Sequence, residues 1–362
     1  MVRKIPDPFS SLLMSKILFL TMYPLKELNS APKVRSFFLH NELNKIEKTD
    51  LIEGSRLSRS LKLIDWLVGG DFIKNRIIYV EASTTVGSPI ELLVLTVAKF
   101  LRKRIFIYIR DAYPKFPDEF PADSIKTKIL YLGWKISFLI YKFLSVKLIF
   151  PTKELASSLG IPEDKFLLLP PAGNASEGLR IGAKGHKIGY VGGFNPRYGS
   201  DVMIEMVSKL KSKFKDTLLV AVVRSSDLEK IESSSFEGKV EFKVVDYGKL
   251  KEVLIDVSIC FLPLPETPYN KLSLPIKLFD YMSFGKAVVT TNLPAVAKIV
   301  REEKIGLVAD NNPEDLAEKV SMLFDNERLI KEFQKNSLAA IRLHHSWSHR
   351  ARKLYEFIEE YN

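Results

Sequence analysis

The stretch "LSLPIKLFDYMSFGKAVVTTN", residues 272–292, combines the signals of a short helix and of a buried strand. Pro275 suits the first turn of a helix, where its missing N–H costs nothing. Gly285 supplies the left-handed residue that commonly ends a helix. The sequence therefore predicts a helix over about 274–284. The run "AVVTT" that follows is typical of a strand in a parallel sheet covered on both faces.

The start of this predicted helix has the features of an anion-binding site. The N–H groups of Ile276, Lys277 and Leu278 would point towards the carboxyl end of the preceding strand, where open α/β sheets bind ligands. Lys277 is disfavoured there by about 0.3–1 kcal/mol, and a bound diphosphate would reverse that sign. Asp280 lies three residues further on the same side and is placed to accept from a ribose diol. The alternative is a local surface pair between Lys277 and Asp280.

Strands and helices alternate along the rest of the chain. Apolar runs such as "KILFLTMY" and "RIFIYIRD" precede a stretch rich in Pro and Gly at 170–186, and the pattern then restarts with "KIGYVGG". This alternation predicts βαβ units and doubly wound sheets, and 362 residues suggest about two domains. We predict a disordered extension at 1–13, α/β domains at 14–172 and 173–342 facing a central cleft, and a C-terminal helix at 343–362 that returns to the first domain.

A second candidate site follows the first strand of the second half, in "IGYVGGFNPRYGSD". Gly192 and Gly193 let a ligand approach the backbone where a Cβ would collide. Arg197 lies on the next turn, within reach of the same phosphates. A plain tight turn explains the double glycine equally well. The functional interpretation rests on the coincidence of this site with Lys277 in the same half of the chain.

The C-terminal half resembles the family 4 retaining glycosyltransferases of the GT-B fold. The resemblance is carried by "YVGGFNPRYGSDVMIEMVSKL", by "SLPIKLFDYMSFGKAVVTTNLPAVAKIV" and by "SWSHRARKLYEFI", with "KILFLTMYP" and "FLLLPPAGN" as looser matches in the N-terminal half. It implies two Rossmann-like domains. It also implies transfer of a sugar, with retention, from a nucleotide-sugar on the C-terminal half to a glycan or lipid-linked acceptor on the N-terminal half.

The resemblance also implies roles for residues. Asp280 holds the second carboxylate position of the family's Glu-x7-Glu motif, which binds the ribose, and the backbone at Gly192 and Gly193 would hold the diphosphate. No cofactor and no metal are implied, and the sequence contains no Asp-x-Asp triplet. In this family the leaving phosphate itself is thought to deprotonate the acceptor.

The sequence departs from the family at three positions. The first Glu of the motif falls on Leu272, and the basic residues of the family's first phosphate loop fall on Gly193 and Tyr198. Lys277 and Arg197 are the candidates to replace those cations.

In the first half, "IYIRDAYP" places Arg110 and Asp111 at the end of a predicted strand. Asp111 could position the acceptor hydroxyl or the donor sugar, or it could cap the following turn. Arg110, Asp111, Lys277 and Arg197 are the catalytic candidates. In "HHSWSH", His345 and His349 lie four residues apart, but no third metal ligand is evident, and a helix start with exposed imidazoles is the preferred interpretation.

Charge and cysteine content narrow the class of partner. A formal net charge of +11 calls for an anionic partner. No nucleic-acid-binding motif is present, so nucleotide phosphates and anionic lipid are favoured.

The single cysteine, Cys260, lies in an apolar run and is expected in the core.

Residues 124–153 contain no acidic residue and read as a basic, apolar helix. Lys128, Lys135 and Lys142 recur every seven residues and share one face, with Trp134 among them. The charge is too high for a spanning helix but fits contact with an anionic membrane surface. The alternative is a helix that packs on the sheet with solvated lysines.

These observations favour a cytoplasmic, metal-independent hexosyltransferase at the inner face of the cell membrane. Two other functions stay open. One is a nucleotide-sugar epimerase of the same architecture, which would require more carboxylates and histidines than are evident. The other is a catalytically degenerate protein that acts as a partner subunit, which Leu272 and Tyr198 motivate.

Overall fold

A computed structural model describes residues 16–179, 181–182, 185–231 and 236–361. The predicted extension at 1–13 lies outside the described residues. The chain forms two compact units. The first comprises the described chain up to Phe150, Ile161–Leu169 and the chain from Ala351, and the second comprises Pro151–Gly160 and the described part of Pro170–Arg350.

The described residues contain two six-stranded sheets in which every paired strand is parallel. The strands of the first unit are β1 (Lys16–Thr21), β2 (Thr49–Ile52), β3 (Asn75–Glu81), β4 (Arg104–Tyr108), β5 (Lys147–Phe150) and β6 (Phe166–Leu168). Those of the second unit are β7 (Lys187–Val191), β8 (Leu218–Val222), β9 (Val240–Lys243), β10 (Ile259–Leu262), β11 (Ala287–Thr291) and β12 (Gly306–Ala309).

Helices connect these strands. In the first unit they are α1 (Ala31–Ile46), α2 (Arg56–Val68), α3 (Asp71–Lys74), α4 (Pro89–Phe100) and α5 (Ile125–Leu144). The remaining helices are α6 (Lys153–Ser158), α7 (Ser200–Leu210), α8 (Ser225–Leu228), α9 (Leu250–Leu254), α10 (Ile276–Ser283), α11 (Pro294–Glu302), α12 (Pro313–Phe324), α13 (Glu327–Leu343) and α14 (Trp347–Glu359). In the described part of the chain, none of these helices has both the length and the apolarity that crossing a bilayer requires.

The strand order shows the switch point of each sheet, the place from which successive strands are added in opposite directions. The first sheet runs β2-β1-β3-β4-β5-β6 and the second β12-β11-β10-β7-β8-β9. The reversal therefore falls between β1 and β3 in the first unit and between β7 and β10 in the second. Open α/β sheets bind ligands outside the carboxyl ends of the strands at such a switch point. The predicted doubly wound α/β fold is confirmed.

The second sheet is buried on both faces. One apolar cluster joins β7, β8 and β10 to α7 and α12, and a second joins the opposite face to α10 and α11. Cys260 on β10 is fully buried, as expected. Its burial raises the pKa of the thiol to about 12, so at neutral pH it is an inert core residue.

Buried ion pairs fasten the helices of the first unit. Arg59 of α2 donates to Glu91 of α4 through Nη2, at 3.0 Å from Oε2, and both side chains are almost fully buried. Arg35 of α1 donates to Glu81 at the end of β3, with Nε 3.1 Å from Oε1, and its guanidinium stacks 3.6 Å from the centre of the Tyr108 ring. The first pair fixes α2 beside α4, and the second fixes α1 against the carboxyl edge of the sheet.

Two segments of α14 have different partners. Arg350, which is 7% exposed, donates to the carbonyl oxygens of Pro170 and Pro171 at 3.2 and 3.3 Å, all within the second unit. From Ala351 the chain belongs to the first unit. The rings of Phe357 on α14 and of Tyr361 just after it lie 5.9 and 5.8 Å from that of Phe106 on β4.

The buried pair between α2 and α4 predicts an asymmetric response to mutation. Arg59→Met leaves the buried carboxyl of Glu91 without its cation, and should lower the free energy of unfolding by about 3–5 kcal/mol. Arg59→Met combined with Glu91→Leu removes both charges and should recover most of that loss. Urea unfolding measures both. As a control, Lys74→Ala removes an exposed pair with Asp71 and should change stability by less than about 1 kcal/mol. A double variant no more stable than Arg59→Met would contradict the prediction.

Candidate functional site

The candidate site lies at the switch point of the second sheet. β7 and β10 pair only over their first residues, so their carboxyl ends diverge. The hydroxyl of Tyr281, on α10, fills the gap: it accepts from the Val191 N–H at 3.0 Å and donates to the Phe261 carbonyl at 3.3 Å. Because this tyrosine is fully buried, it fixes α10 against both strand ends.

The helix α10 has the predicted position but a different start. It runs from Ile276 to Ser283, with Pro275 as the N-cap residue instead of a residue of the first turn. Gly285 follows it with φ +59°, the left-handed conformation that was predicted. The prediction that the N–H of Leu278 is free is wrong. This N–H donates to the Pro275 carbonyl at 3.2 Å and closes a tight first turn.

Gly192 serves a different purpose from the predicted one. Its N–H donates to the Val222 carbonyl at 2.9 Å, so this amide extends the β7–β8 pairing and does not face a ligand. Its φ is +138°, and a Cβ added here would lie 2.3 Å from Nζ of Lys277. The missing side chain therefore makes room for the amine of Lys277.

Lys277 is held between two tyrosines. Its Nζ donates to the hydroxyl of Tyr190 at 3.3 Å. The same atom lies 4.7 Å from the centre of the Tyr190 ring and 5.2 Å from that of Tyr198, within the range of cation–π attraction. The amine is therefore positioned beside the Gly192 turn by side chains of the chain itself.

A second cation, Arg224, acts on Lys277. Burial and, to a smaller extent, the positive charge of Arg224 lower the pKa of Lys277 to about 8, while the charge of Asp280 opposes the change. Arg224 lies just beyond the carboxyl end of β8 and is exposed. Arg197, the predicted second cation, is also exposed and lies in a single turn of 3₁₀ helix at Pro196–Tyr198.

Asp280 is buried and bound to a tyrosine. Only 4% of its surface is exposed, and Oδ1 accepts from the hydroxyl of Tyr247 at 2.6 Å. Burial raises the pKa of Asp280 to about 7, while the hydrogen bond from Tyr247 and the charge of Lys277 hold it down. The alternative of a surface pair is wrong, because Asp280 is not at the surface and the two side chains are directed to different tyrosines.

Sequence reasoning missed Arg224 and Tyr247. Each follows a strand of the second sheet at its carboxyl end, Arg224 two residues after β8 and Tyr247 four residues after β9. The segments "VAVVRSS" and "FKVVDYG" contained that signal, since every carboxyl end of a parallel sheet reaches the same edge.

The three departures from the family pattern occupy defined positions. The ring of Tyr198 covers Gly193, where an added Cβ would lie 2.5 Å from the ring. The side chains of Tyr198 and Lys277 thus lie beside the glycine turn that was expected to receive the diphosphate directly. The carbonyl of Leu272 accepts from Oγ1 of Thr152 at 2.7 Å, and Leu272 brings no carboxylate to the segment before α10.

The catalytic candidates of the first unit form a pair. Nε of Arg110 donates to Oδ2 of Asp111 at 2.7 Å, and Nη2 donates to the hydroxyl of Tyr23 at 3.1 Å. Both residues follow β4 at its carboxyl end. Arg110 and Asp111 belong to the first unit, whereas Gly192, Gly193, Arg197, Ile276, Lys277, Leu278 and Asp280 belong to the second.

The predicted membrane-contact residues lie on two faces of α5. Lys128, Lys135 and Lys142 are exposed, whereas Trp134 is only 5% exposed and stacks parallel to Phe138 at 5.5 Å. Trp134 is therefore a packing residue, which corrects its assignment to membrane contact. Its ring lies on the helix face that also buries Tyr141 and Leu144.

One group of possible metal ligands occurs among the described residues, at Glu303, His344 and His345. Nη2 of Arg350 lies 2.9 Å from Nδ1 of His345, and Nε2 of His345 lies 2.9 Å from Oε1 of Glu303. A guanidinium only donates, so Nδ1 accepts, and Nε2 carries the hydrogen that Glu303 receives. This nitrogen is committed to a hydrogen bond, and the group is a structural network.

Comparison with known proteins agrees with this architecture. Residues 185–326 match the family described as glycosyl transferases group 1. The chain is 27% identical over 165 residues to a putative teichuronic acid biosynthesis glycosyltransferase of Bacillus subtilis, which covers 43% of this chain and 39% of that protein. The chain spans about two fifths of the length of the curated relatives it matches.

Solved structures share the fold over nearly the whole chain. A glycosyltransferase from Rickettsia africae superposes with a TM-score of 0.68 at 14% identity, over 96% of this chain and 98% of that one. A protein from Anabaena in complex with UDP-glucose superposes with a TM-score of 0.67 at 12% identity, over 96% of this chain and 100% of that one. The GT-B fold and the resemblance to its glycosyltransferases are confirmed.

The burial of Asp280 predicts a pH-dependent cost to stability. The pKa of its carboxyl rises from an ordinary 3.8 to about 7 in the folded chain, so the folded state binds the proton more tightly than the unfolded state. Asp280 therefore destabilises the fold above pH 7, and this cost diminishes as the pH falls from about 7 to about 4.

Asp280→Asn should accordingly raise the melting temperature at pH 8, and the gain should shrink towards pH 4. Asp123→Asn, at an exposed carboxyl, is the control and should show no such trend. Thermal unfolding followed by circular dichroism measures both. A stabilisation independent of pH, or a loss of stability at pH 8, would contradict the assignment.

Proposed function

We propose that this chain, whose residues 185–326 match the family described as glycosyl transferases group 1, transfers a sugar from a nucleotide-sugar donor to a glycan or lipid-linked acceptor. The observation that carries the proposal is the pair of charged residues on α10. An amine positioned beside the Gly192 turn and a buried carboxylate one turn later lie at the switch point of a parallel sheet. Their order suits the diphosphate and the ribose of one nucleotide.

The amine of Lys277 would act on the leaving group. The bond that breaks joins C1 of the sugar to a diphosphate oxygen, and negative charge grows on that oxygen. A cation positioned before the reaction stabilises this charge without reorganisation, and Lys277 is so positioned by Tyr190 and Tyr198. Arg224 increases the positive potential at the same place. With the amides of Gly192 and Leu278 already used, the side-chain cations are the groups that we propose stabilise this charge.

Asp280 would bind the ribose. A buried carboxylate that is held on one side by Tyr247 accepts strongly on its remaining lone pairs. The cost of keeping it in the core is recovered only when a ligand donates to it. That cost is itself a reason to favour a binding role, since a residue kept for structure alone would be better neutral.

Retention, independence from metal and the role of the first unit complete the proposal. Retention and a metal-free mechanism follow from the family resemblance, as does the role of the leaving phosphate as base. Arg110 and Asp111 would position the acceptor hydroxyl or the donor sugar, because both follow β4 at its carboxyl end, the edge at which parallel α/β sheets bind ligands. The positive charge of the chain and the exposed lysines of α5 favour a cytoplasmic location at the inner face of the membrane.

The proposal is tested with Lys277→Met on a panel of nucleotide sugars, measuring both hydrolysis and transfer. Loss of the amine that stabilises the charge on the leaving group should lower kcat by about 10²–10³-fold. Lys271→Met is the matched control, because Lys271 lies in the same segment but is half exposed, and it should behave as the wild type. A wild type no faster than Lys277→Met on every donor would contradict the proposal and favour a partner-subunit role.

A pH profile tests Asp280 and Tyr247 together. Donor binding requires Asp280 ionised and Lys277 protonated, so the affinity for a nucleoside diphosphate should be highest between pH 7 and 8 and fall on both sides. Tyr247→Phe removes the hydrogen bond that favours the ionised Asp280, so the acidic midpoint should move above pH 7 and the affinity for the nucleoside diphosphate at pH 7 should fall.

Calorimetric titration across pH measures these effects, with Tyr355→Phe in the first unit as the control. Discrimination between ribo- and 2′-deoxyribo-nucleotides is a second readout and should diminish in Asp280→Asn. An unchanged acidic midpoint in Tyr247→Phe would show that Tyr247 does not act through Asp280.

A further inference from the structure

Three neighbouring helices of the first unit are apolar on the side away from their sheet. Each carries a row of exposed aliphatic or aromatic side chains, between 37% and 78% exposed. The rows, which we call the three-helix surface, are Leu57, Leu61, Ile64 and Val68 on α2, Ile90, Leu93 and Phe100 on α4, and Ile125, Ile129, Leu132, Ile136, Leu139 and Phe143 on α5.

The spacing of these residues shows that the rows on α2 and α5 are continuous stripes. On α5 the intervals are four, three, four, three and four residues, and on α2 they are four, three and four. Residues at these intervals share one helix face. The opposite face of α5 buries Trp134, Tyr141 and Leu144, so the helix is apolar on both sides and only one side is used within the unit.

The three helices are tied together, so the stripes form one surface. The Arg59–Glu91 pair joins α2 to α4, and α4 is joined to α5 by the hydrogen bond from Nζ of Lys99 to the Leu144 carbonyl at 3.1 Å. A 20-residue helix is about 30 Å long, and three helices packed about 8–10 Å apart extend about 20 Å across. The resulting area, roughly 600 Å², lies at the upper end of the range for the largest apolar patch of an ordinary monomer, about 300–600 Å².

Basic residues border this surface. Lys128, Lys135 and Lys142 lie beside the stripe of α5 and are exposed, and residues 124–153 contain no acidic residue. Arg56 and Lys62 add positive charge on α2, where the exposed Asp65 is the opposing acid. An apolar surface bordered by cations matches a lipid bilayer with anionic headgroups.

We propose that the three-helix surface docks on an anionic lipid membrane, with its apolar stripes among the acyl chains and the lysines of α5 at the headgroups. A second copy of this chain is the less suitable occupant, because it would bring the same basic rows to the interface. The inference rests on the proposed function only in placing the protein beside a lipid-linked acceptor, since lipid contact does not require the chemistry at Lys277.

The test is sedimentation with phosphatidylcholine vesicles that contain or lack phosphatidylglycerol, at low and high salt. The wild type should sediment with the anionic vesicles. Leu132→Ser combined with Leu139→Ser should weaken binding at least tenfold at both salt concentrations. Lys135→Gln combined with Lys142→Gln should weaken it roughly 30-fold at low salt only, about fivefold for each lysine. The control is Met322→Ser combined with Leu343→Ser, which changes exposed apolar residues of the second unit.

Several outcomes would overturn the inference. The first is that the wild type does not bind anionic vesicles at low salt. The second is that the double variant Leu132→Ser/Leu139→Ser binds these vesicles as tightly as the control variant does. Light scattering after gel filtration adds a third: a dimer that this variant dissociates, without vesicle binding, assigns the surface to self-association. Circular dichroism confirms that each variant is folded. Nucleoside-diphosphate binding, measured separately, reports on the proposed function, so a failure of one proposal is distinguished from a failure of the other.

Discussion

Ionisable side chains removed from water must be stabilised by their neighbours, and the second unit is organised around two such residues on one short helix. Lys277 is held by the rings of Tyr190 and Tyr198, and Asp280 by the hydroxyl of Tyr247. Burial raises the pKa of the carboxyl to about 7 and lowers that of the amine to about 8. The charged form of each group is therefore destabilised by its surroundings. A nucleotide diphosphate would supply the missing counter-charge and the missing donors together. Stability and binding are therefore opposed at this site.

Much of this arrangement is encoded locally and was accessible from the sequence. Alternating apolar runs predicted the doubly wound sheets, and Pro275 and Gly285 located α10 to within two residues at each end. Lys277 stood out because a cation in a first helical turn is unfavourable without a partner. The proximity of Lys277 to Gly192 was also expected, since the carboxyl ends of neighbouring parallel strands meet at one edge.

The features that sequence reasoning missed depend on tertiary structure, in particular on which backbone groups already form hydrogen bonds within the fold. The amides of Gly192 and Leu278 are used by the sheet and by the first helical turn, which no spacing rule reveals. Arg224 and Tyr247 come from loops whose paths are decided by tertiary packing. Trp134 was misassigned for a related reason. A helix with two apolar faces gives no indication of which of them is buried, so the lysines were recognised as exposed while the tryptophan was placed with them.

The return of α14 to the first unit has a consequence for the order of folding during synthesis. Phe106 lies in the middle of the first sheet, yet two of its ring contacts come from Phe357 and Tyr361. Those residues leave the ribosome only after the whole of the second unit has been made. The unit that is translated first is therefore completed last, and until then the nascent chain must carry the surface that α14 later covers. A chain interrupted before Ala351 would contain every strand of the first sheet and still lack part of its packing.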